Sequence, residues 1–218
     1  MQSQKVRDAI IGQKLIAIIR GVEGGKVIQT VDALSRGGIH LVEITLDQSD
    51  EEKLQEALDA IRCVSREFNG RVFAGAGTVL TPAQASRAVE AGALYIISPD
   101  TNPAVIRRTR ELGALAIPGA FTPTEIAGAA AAGADFVKLF PAGLLGCEYV
   151  KAVRAPLSHI RLLAVGGVDL TNAGDFLRAG VVGFGIGSNL VDRKLVSRGS
   201  FDEIESRSRA FVHAVTGD

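Results

Sequence analysis

Short apolar runs alternate with longer amphipathic stretches along the whole chain. Eight runs are almost unbroken in aliphatic and aromatic side chains: Leu15–Arg20, Leu41–Thr45, Val72–Ala76, Tyr95–Ser98, Ala114–Pro118, Phe136–Phe140, Arg161–Val165 and Gly183–Ile186. A strand with one face in water alternates apolar and polar residues. A continuous apolar run means that both faces are covered, as in a parallel sheet packed under helices. Between the runs, Lys26–Arg36, Glu51–Phe68, Ala83–Ala91, Ala104–Leu112 and Asn172–Ala179 carry apolar residues at helical spacing and predict helices with one buried face.

The punctuation divides the chain in the same way. Thr81-Pro82-Ala83-Gln84 and Thr122-Pro123-Thr124-Glu125 each offer a capping hydroxyl, a proline in the first turn and a reciprocal cap three residues on. Gly37, Gly92, Gly113, Gly133 and Gly180 stand where helices end, because glycine tolerates the left-handed conformation that stops them. Strand, cap, helix and glycine recur about every 27 residues, near the minimal length of a βα unit. Eight parallel strands without a long insertion predict an α/β fold of the TIM (β/α)₈-barrel type, one domain spanning residues 1–218. Lys5–Gly12 reads as a short N-terminal helix over the bottom of the barrel, and Phe201–Val215 as the last helix.

Composition narrows the partners. The chain has 24 basic and 24 acidic side chains, 47% hydrophobic residues and 22% charged ones. A balanced chain has no global field for nucleic acid or an anionic membrane surface. No apolar run approaches the roughly 18 residues of a membrane span, and Met1 to Asp8 lacks the apolar core of a signal peptide. Cys63 and Cys147 fit no metal spacing and read as reduced thiols of a cytoplasmic protein.

Charge inside the strands is the chemical signal. Lys138 stands at the centre of Phe136-Val137-Lys138-Leu139-Phe140, and Glu43 at the centre of Leu41-Val42-Glu43-Ile44-Thr45. Arg20 ends the first strand, at the parity of Ile16 and Ile18. Ionisable groups in a barrel are costly unless paired or used. One reading is a structural ion pair between Lys138 and Glu43. The other is catalysis: desolvation lowers a lysine's pKa by up to ~3–5 units and makes the neutral amine available as a nucleophile. His40, His159 and His213 stand before strands or in the last helix, so no His/Asp/Glu set suits a metal and no Ser-His-Asp set suits acyl transfer.

The last two strands run into glycine: Val165-Gly166-Gly167-Val168 and Gly185-Ile186-Gly187-Ser188, the latter followed by an expected helix start. Loops after strands seven and eight commonly hold phosphate in this architecture, through backbone N–H groups and a helix N-terminus. Thr78, after the third strand, suits either a substrate carboxylate or a cap. Asp47, Asp50 and Asp100 read as caps or solvated loop charges.

Taken in order, Ala17-Ile18-Ile19-Arg20, Val42-Glu43-Ile44-Thr45, Gly75-Ala76-Gly77-Thr78-Val79, Ile97-Ser98-Pro99, Pro118-Gly119, Val137-Lys138-Leu139-Phe140-Pro141-Ala142, Val165-Gly166-Gly167-Val168 and Gly185-Ile186-Gly187-Ser188 resemble the class I 2-keto-3-deoxy-6-phosphogluconate aldolase family, with its phosphogalactonate and 4-hydroxy-2-oxoglutarate branches. The resemblance runs from about Ile16 to Val215. It implies a Schiff base on Lys138 with Glu43 as acid and base. Arg20, Thr78, Pro99 and Phe140 would line the substrate pocket, and Gly166, Gly167, Gly187 and Ser188 would hold phosphate. It also implies a phosphorylated keto acid as substrate, pyruvate and glyceraldehyde 3-phosphate as products, no cofactor, and a homotrimer. The stretch Ile126 to Ala134, apolar on every helical face, fits either a subunit contact or tight small-residue packing.

Two positions depart from the pattern. Many phosphogluconate members carry Pro-Thr where this chain has Ala164-Val165, which looks more like the phosphogalactonate branch. Some members carry arginine where Asp47 stands. Two rival readings remain on the same barrel: a sugar-phosphate 2-epimerase or isomerase, and a non-catalytic barrel that binds a phosphorylated ligand.

Overall fold

The computed structural model describes residues 2–22 and 24–217. Helix α1 (Gln2–Gln13) precedes strand β1 (Leu15–Ile19). The chain then alternates: α2 (Gly24–Arg36), β2 (Leu41–Thr45), α3 (Glu51–Glu67), β3 (Phe73–Gly77), α4 (Pro82–Glu90), β4 (Tyr95–Ile97), α5 (Pro103–Glu111) and β5 (Leu115–Ile117). It continues through β6 (Gly119–Ala120), α6 (Pro123–Ala131), β7 (Val137–Leu139), α7 (Ala142–Arg154), β8 (Leu162–Val165), α8 (Ala173–Ala179), β9 (Gly183–Ile186), α9 (Arg193–Arg198) and α10 (Phe201–Thr216).

All strand pairs are parallel, in the order β5-β4-β3-β2-β1-β9-β8-β7-β6. The two ends of that order are neighbours in the chain. β5 pairs with β4, β6 pairs with β7, and only Pro118 lies between them. Nine segments therefore stand for the eight expected strands. Proline has no N–H to offer a ladder, so the fifth strand is cut there. Backbone bonds from Asp135 N to Ala116 O (2.9 Å) and from Lys138 N to Pro118 O (2.8 Å) carry the ring across the cut.

Residue parity sorts the core into two layers. Ile16, Leu41, Tyr95, Ile97, Leu115, Ile117, Phe136 and Leu163 form the barrel interior, closed below by Val6 and Ile10 of α1. This is the bottom cover the sequence predicts. The alternate residues Ala17, Ile19, Val42 and Ile44 pack outward on helix residues such as Val31, Leu34, Leu58 and Ile61. Each buried valine, leucine or isoleucine among them stabilises the fold by about 1.5–3 kcal/mol. Within the barrel, Tyr95 is the largest fully buried side chain. A Cβ on Gly75 would lie 2.1 Å from its ring, so glycine at that level makes room for the phenol, whose hydroxyl donates to Val42 O at 2.7 Å.

The predicted capping boxes form at Thr81–Gln84 and Thr122–Glu125, and Asp50 caps α3. Two local expectations change. After α2 the left-handed residue is Gly38, not Gly37; Gly37 instead lets α10 approach, since a Cβ there would meet that of Ser208 at 2.2 Å. No helix starts at Ser188. Gly187 O accepts from Leu190 N and Val191 N in a single turn, and α9 begins at Arg193 behind the Asp192 cap. Among the described residues, no helix is long and apolar enough to cross a membrane.

Candidate active site

The register that closes the barrel also sets the site. Ile18, Glu43 and Gly75 share one level of β1, β2 and β3, while Lys138 lies level with Gly119 and Leu163 on the far side. Leu41 and Phe136, two residues before Glu43 and Lys138 and at the same inward parity, belong to the apolar interior. Both ionisable groups therefore stand on the hydrocarbon layer, toward the carboxyl ends of the strands. Glu43 is 1% exposed and Lys138 5%.

Burial sets their protonation. It raises the Glu43 pKa above the ordinary 4.5, with Lys138 and Arg20 opposing the shift. It lowers that of Lys138 below 10.5, with Glu43 opposing and Arg20 assisting. Both shifts favour the uncharged form, the signature of desolvation rather than pairing. Among the described residues no salt bridge joins the two, although each still feels the other's charge. Glu43 Oε1 is buried without a hydrogen-bond partner, an acceptor left open by the protein. The Lys138 ammonium position lies 4.9 Å from the centroid of the Phe140 ring.

The other predicted residues lie at the carboxyl end. Arg20 is exposed, one residue past β1, and its charge reaches both Lys138 and Glu43. Thr78, just past β3, has φ +58, and among the described residues its N–H donates to no protein acceptor. Pro99 packs its carbonyl against Gly119, where a Cβ would come within 2.3 Å of that oxygen. Phe140 ends the Lys138 segment, partly exposed, with its ring beside Gly166. Gly166 and Gly167 have φ of +83 and +77. Their carbonyls are tied, to Gly143 N at 2.8 Å and Asn172 Nδ2 at 2.9 Å. Among the described residues, the N–H groups of Gly166, Gly167, Gly187 and Ser188 donate to no protein acceptor. That is the donor set an anion requires.

A cavity of about 540 Å³ opens beside the barrel axis, lined by Arg20, Thr45, Asp47, Gln48, Thr78 and Arg193 among others. It shares Arg20 and Thr78 with the site but does not contain Lys138 or Glu43, so it flanks the mouth rather than filling it. Asp47 is exposed, and hydrogen bonding from the Ser49 side chain and then from its N–H holds the carboxyl below the usual range. It is a loop charge, as expected.

Sequence reasoning missed Tyr95, Gly77, Gln48 and Gln84 as parts of this neighbourhood. The alternation Gly75-Ala76-Gly77 was the available signal. Glycine at every second residue of a strand means that something large approaches on that face.

Packing alone gives no reason for a lysine and a glutamate here, because the level below is filled with leucine, tyrosine and phenylalanine. A barrel that accepts this cost at its catalytic end is an enzyme, of the (β/α)₈ aldehyde-lyase class that captures a carbonyl with an amine. Comparison gives the particular family. The model described as KDPG and KHG aldolase matches residues 6–207, and the chain belongs to that family. It is 40% identical over 177 residues to a Rhizobium meliloti (strain 1021) protein named "Probable 2-dehydro-3-deoxy-6-phosphogalactonate aldolase", covering 81% of each chain. A structure described as native KDPGal superposes with a TM-score of 0.83 at 34% identity, over 93% of this chain and 94% of that one. The KDPG aldolase of Legionella pneumophila, with pyruvate captured as a covalent carbinolamine, superposes with a TM-score of 0.85 at 26% identity, over 94% and 97%.

Proposed function

We propose that this enzyme cleaves a 2-keto-3-deoxy-6-phospho-sugar acid to pyruvate and glyceraldehyde 3-phosphate through a Schiff base on Lys138. The neutral amine attacks the C2 carbonyl, the carbinolamine loses water, and a protonated imine forms. Glu43 takes the proton of the C4 hydroxyl. The C3–C4 bond breaks, its electron pair enters the imine as an enamine, and C4 leaves as the aldehyde of glyceraldehyde 3-phosphate. Protonation at C3 and hydrolysis release pyruvate and free Lys138. The imine is itself the electron sink, so no cofactor enters the scheme. Arg20 and Thr78 hold the carboxylate end, Pro99 and Phe140 wall the chain of carbons, and the N–H groups of Gly166, Gly167, Gly187 and Ser188 take the phosphate.

The observation that carries this reading is the desolvated lysine amine at the carboxyl end of the barrel, with no salt bridge among the described residues. The carbinolamine held by the Legionella relative supports it. Borohydride added with pyruvate should leave a reduced pyruvyl group on the peptide carrying Lys138. An adduct on another peptide, or none, overturns the imine scheme, and hydrogen exchange without pyruvate release would favour epimerisation.

We assign the phosphogalactonate form as the preferred C4 epimer, with 4-hydroxy-2-oxoglutarate as a slower substrate. Val165 supports this, as does the higher identity to the phosphogalactonate relatives than to the Legionella KDPG enzyme. Parallel cleavage assays on the two epimers decide it; faster release of pyruvate from the gluconate form reverses the assignment. The reading extends to a cytoplasmic homotrimer. Cys63 and Cys147 are free thiols, and α6 buries Ile126 and Ala129 while exposing Ala127, Gly128 and Ala131.

A further inference from the structure

Among the described residues proposed to contact substrate, Thr78 alone among the non-glycines has a left-handed backbone. A β-branched residue seldom adopts this conformation, and it persists only where the surroundings hold it. Its neighbours are fixed by the sheet: Gly77 O accepts from Leu46 N at 2.8 Å, and Val79 N donates to Ile97 O at 3.2 Å. Thr78 itself is held by a side chain. Gln48 Nε2 donates to Thr78 O at 2.8 Å, and Gln48 Oε1 accepts from Gln84 Nε2 at 2.7 Å. Gln84 Oε1 in turn accepts from Leu80 N at 2.8 Å and Thr81 N at 3.3 Å. A carbonyl only accepts and a backbone N–H only donates, so both ends of this chain dictate how each amide must face.

We propose that Gln48 and Gln84 are positioning residues of the substrate site. Their amide relay runs from the N-terminus of α4 to the Thr78 carbonyl, and it holds the conformation that leaves the Thr78 N–H available to the keto-acid carboxylate. The inference rests on the Schiff-base reading above. Gln84 has two separable tasks: its oxygen caps α4, and its amino group orients Gln48. Gln84→Glu keeps the capping oxygen and adds negative charge at a helix N-terminus, where it is favourable. It has no N–H for Gln48. The Gln48 amide then turns its own NH₂ to the new carboxylate and sets its oxygen against Thr78 O. Gln48→Met removes the relay with little change in volume.

The test is the pyruvate concentration that half-saturates borohydride trapping on Lys138, measured with thermal melting. The relay is exposed to water on one side, so its effect is modest. Each variant should need about three- to tenfold more pyruvate, with a Tm within about 2 °C of wild type. The double variant should be no worse than either single one, because both cut the same chain. Unchanged half-saturation, effects that multiply in the double variant, or a loss that only follows Tm overturns the relay. A wild type that fails to trap pyruvate overturns the Schiff-base reading and the relay with it. A wild type that traps normally beside variants that do the same overturns the relay alone.

Discussion

Glu43 and Gly77 share one space: a Cβ on Gly77 would fall 1.8 Å from Glu43 Oε1 and 2.5 Å from its Cδ. Gly77 lies level with Thr45, one inward step above Glu43 on the neighbouring strand. Its missing side chain is the slot that the carboxyl occupies. In Gly77→Ala the carboxyl, as the far end of a flexible side chain, yields before the sheet does. The fold should survive with the base displaced by an ångström or more, and kcat/KM should fall about a hundredfold. Trapping of pyruvate on Lys138 should persist, since imine formation does not need that carboxyl in place. A variant with near-normal turnover would show that Glu43 does not act from this position.

The pH response of Lys138 has a defined sign. In the proposed mechanism its neutral form is the nucleophile, so trapping at saturating pyruvate should rise with pH and level off near its pKa, below the 10.5 of an ordinary lysine. The two neighbours push in opposite directions. The Glu43 carboxylate favours the ammonium form, so Glu43→Gln should move the plateau to lower pH. Arg20 disfavours it, so Arg20→Met should move the plateau to higher pH, by less because Arg20 is exposed. Trapping rates across pH in the three proteins check this. Shifts of the same sign in both variants would refute the electrostatic account.

The same burial costs stability. With its folded pKa lowered, Lys138 holds its proton less firmly in the native state than in the unfolded chain. Stability therefore rises with pH between that lowered value and 10.5, and the full penalty applies below this window. Glu43 is the mirror image. Its folded pKa is raised above 4.5, stability falls as pH climbs from 4.5 to the raised value, and the penalty is complete above it. Lys138→Met should remove turnover and raise Tm by roughly 2–4 °C. Glu43 then loses a stabilising charge but can take up a proton. A melting temperature equal to or below that of wild type, measured near neutral pH, would mean that the buried amine carries no such cost.

How far the sequence reveals this site depends on what each feature rests on. Continuous apolar runs and cap-plus-glycine punctuation are local, and the strands at Leu41–Thr45 and Gly183–Ile186 are found at their predicted bounds. Lys138 and Glu43 stand out because charge within an apolar strand is conspicuous in one dimension. The cut at Pro118 was less legible, because a proline closing an apolar run reads as a strand end until its partners on both sides are known. Helix α7, broken at Gly146 with φ +73, has no clean period to read. Tyr95 and the Gln48–Gln84 relay were hidden for another reason. Their partners lie 53 and 36 residues away, and only the register of the barrel brings them together.

The proposed phosphate cradle should be separable from the amine. Gly167 has φ +77, and a Cβ there would lie 2.9 Å from the Gly143 Cα, which is backbone and cannot swing aside. The loops after β7 and β8 are thus locked by close approach as well as by the bond from Gly143 N to Gly166 O. Gly167→Ala adds a left-handed strain of roughly 1–2 kcal/mol and moves the N–H groups off the anion. KM for the phosphorylated keto acid should rise at least about tenfold. Cleavage of 4-hydroxy-2-oxoglutarate, which has no phosphate, should change little, as should the pyruvate needed for trapping. If both substrates lose the same factor, the glycines hold the shape of the barrel mouth rather than the phosphate, and the anion must be sought elsewhere around it.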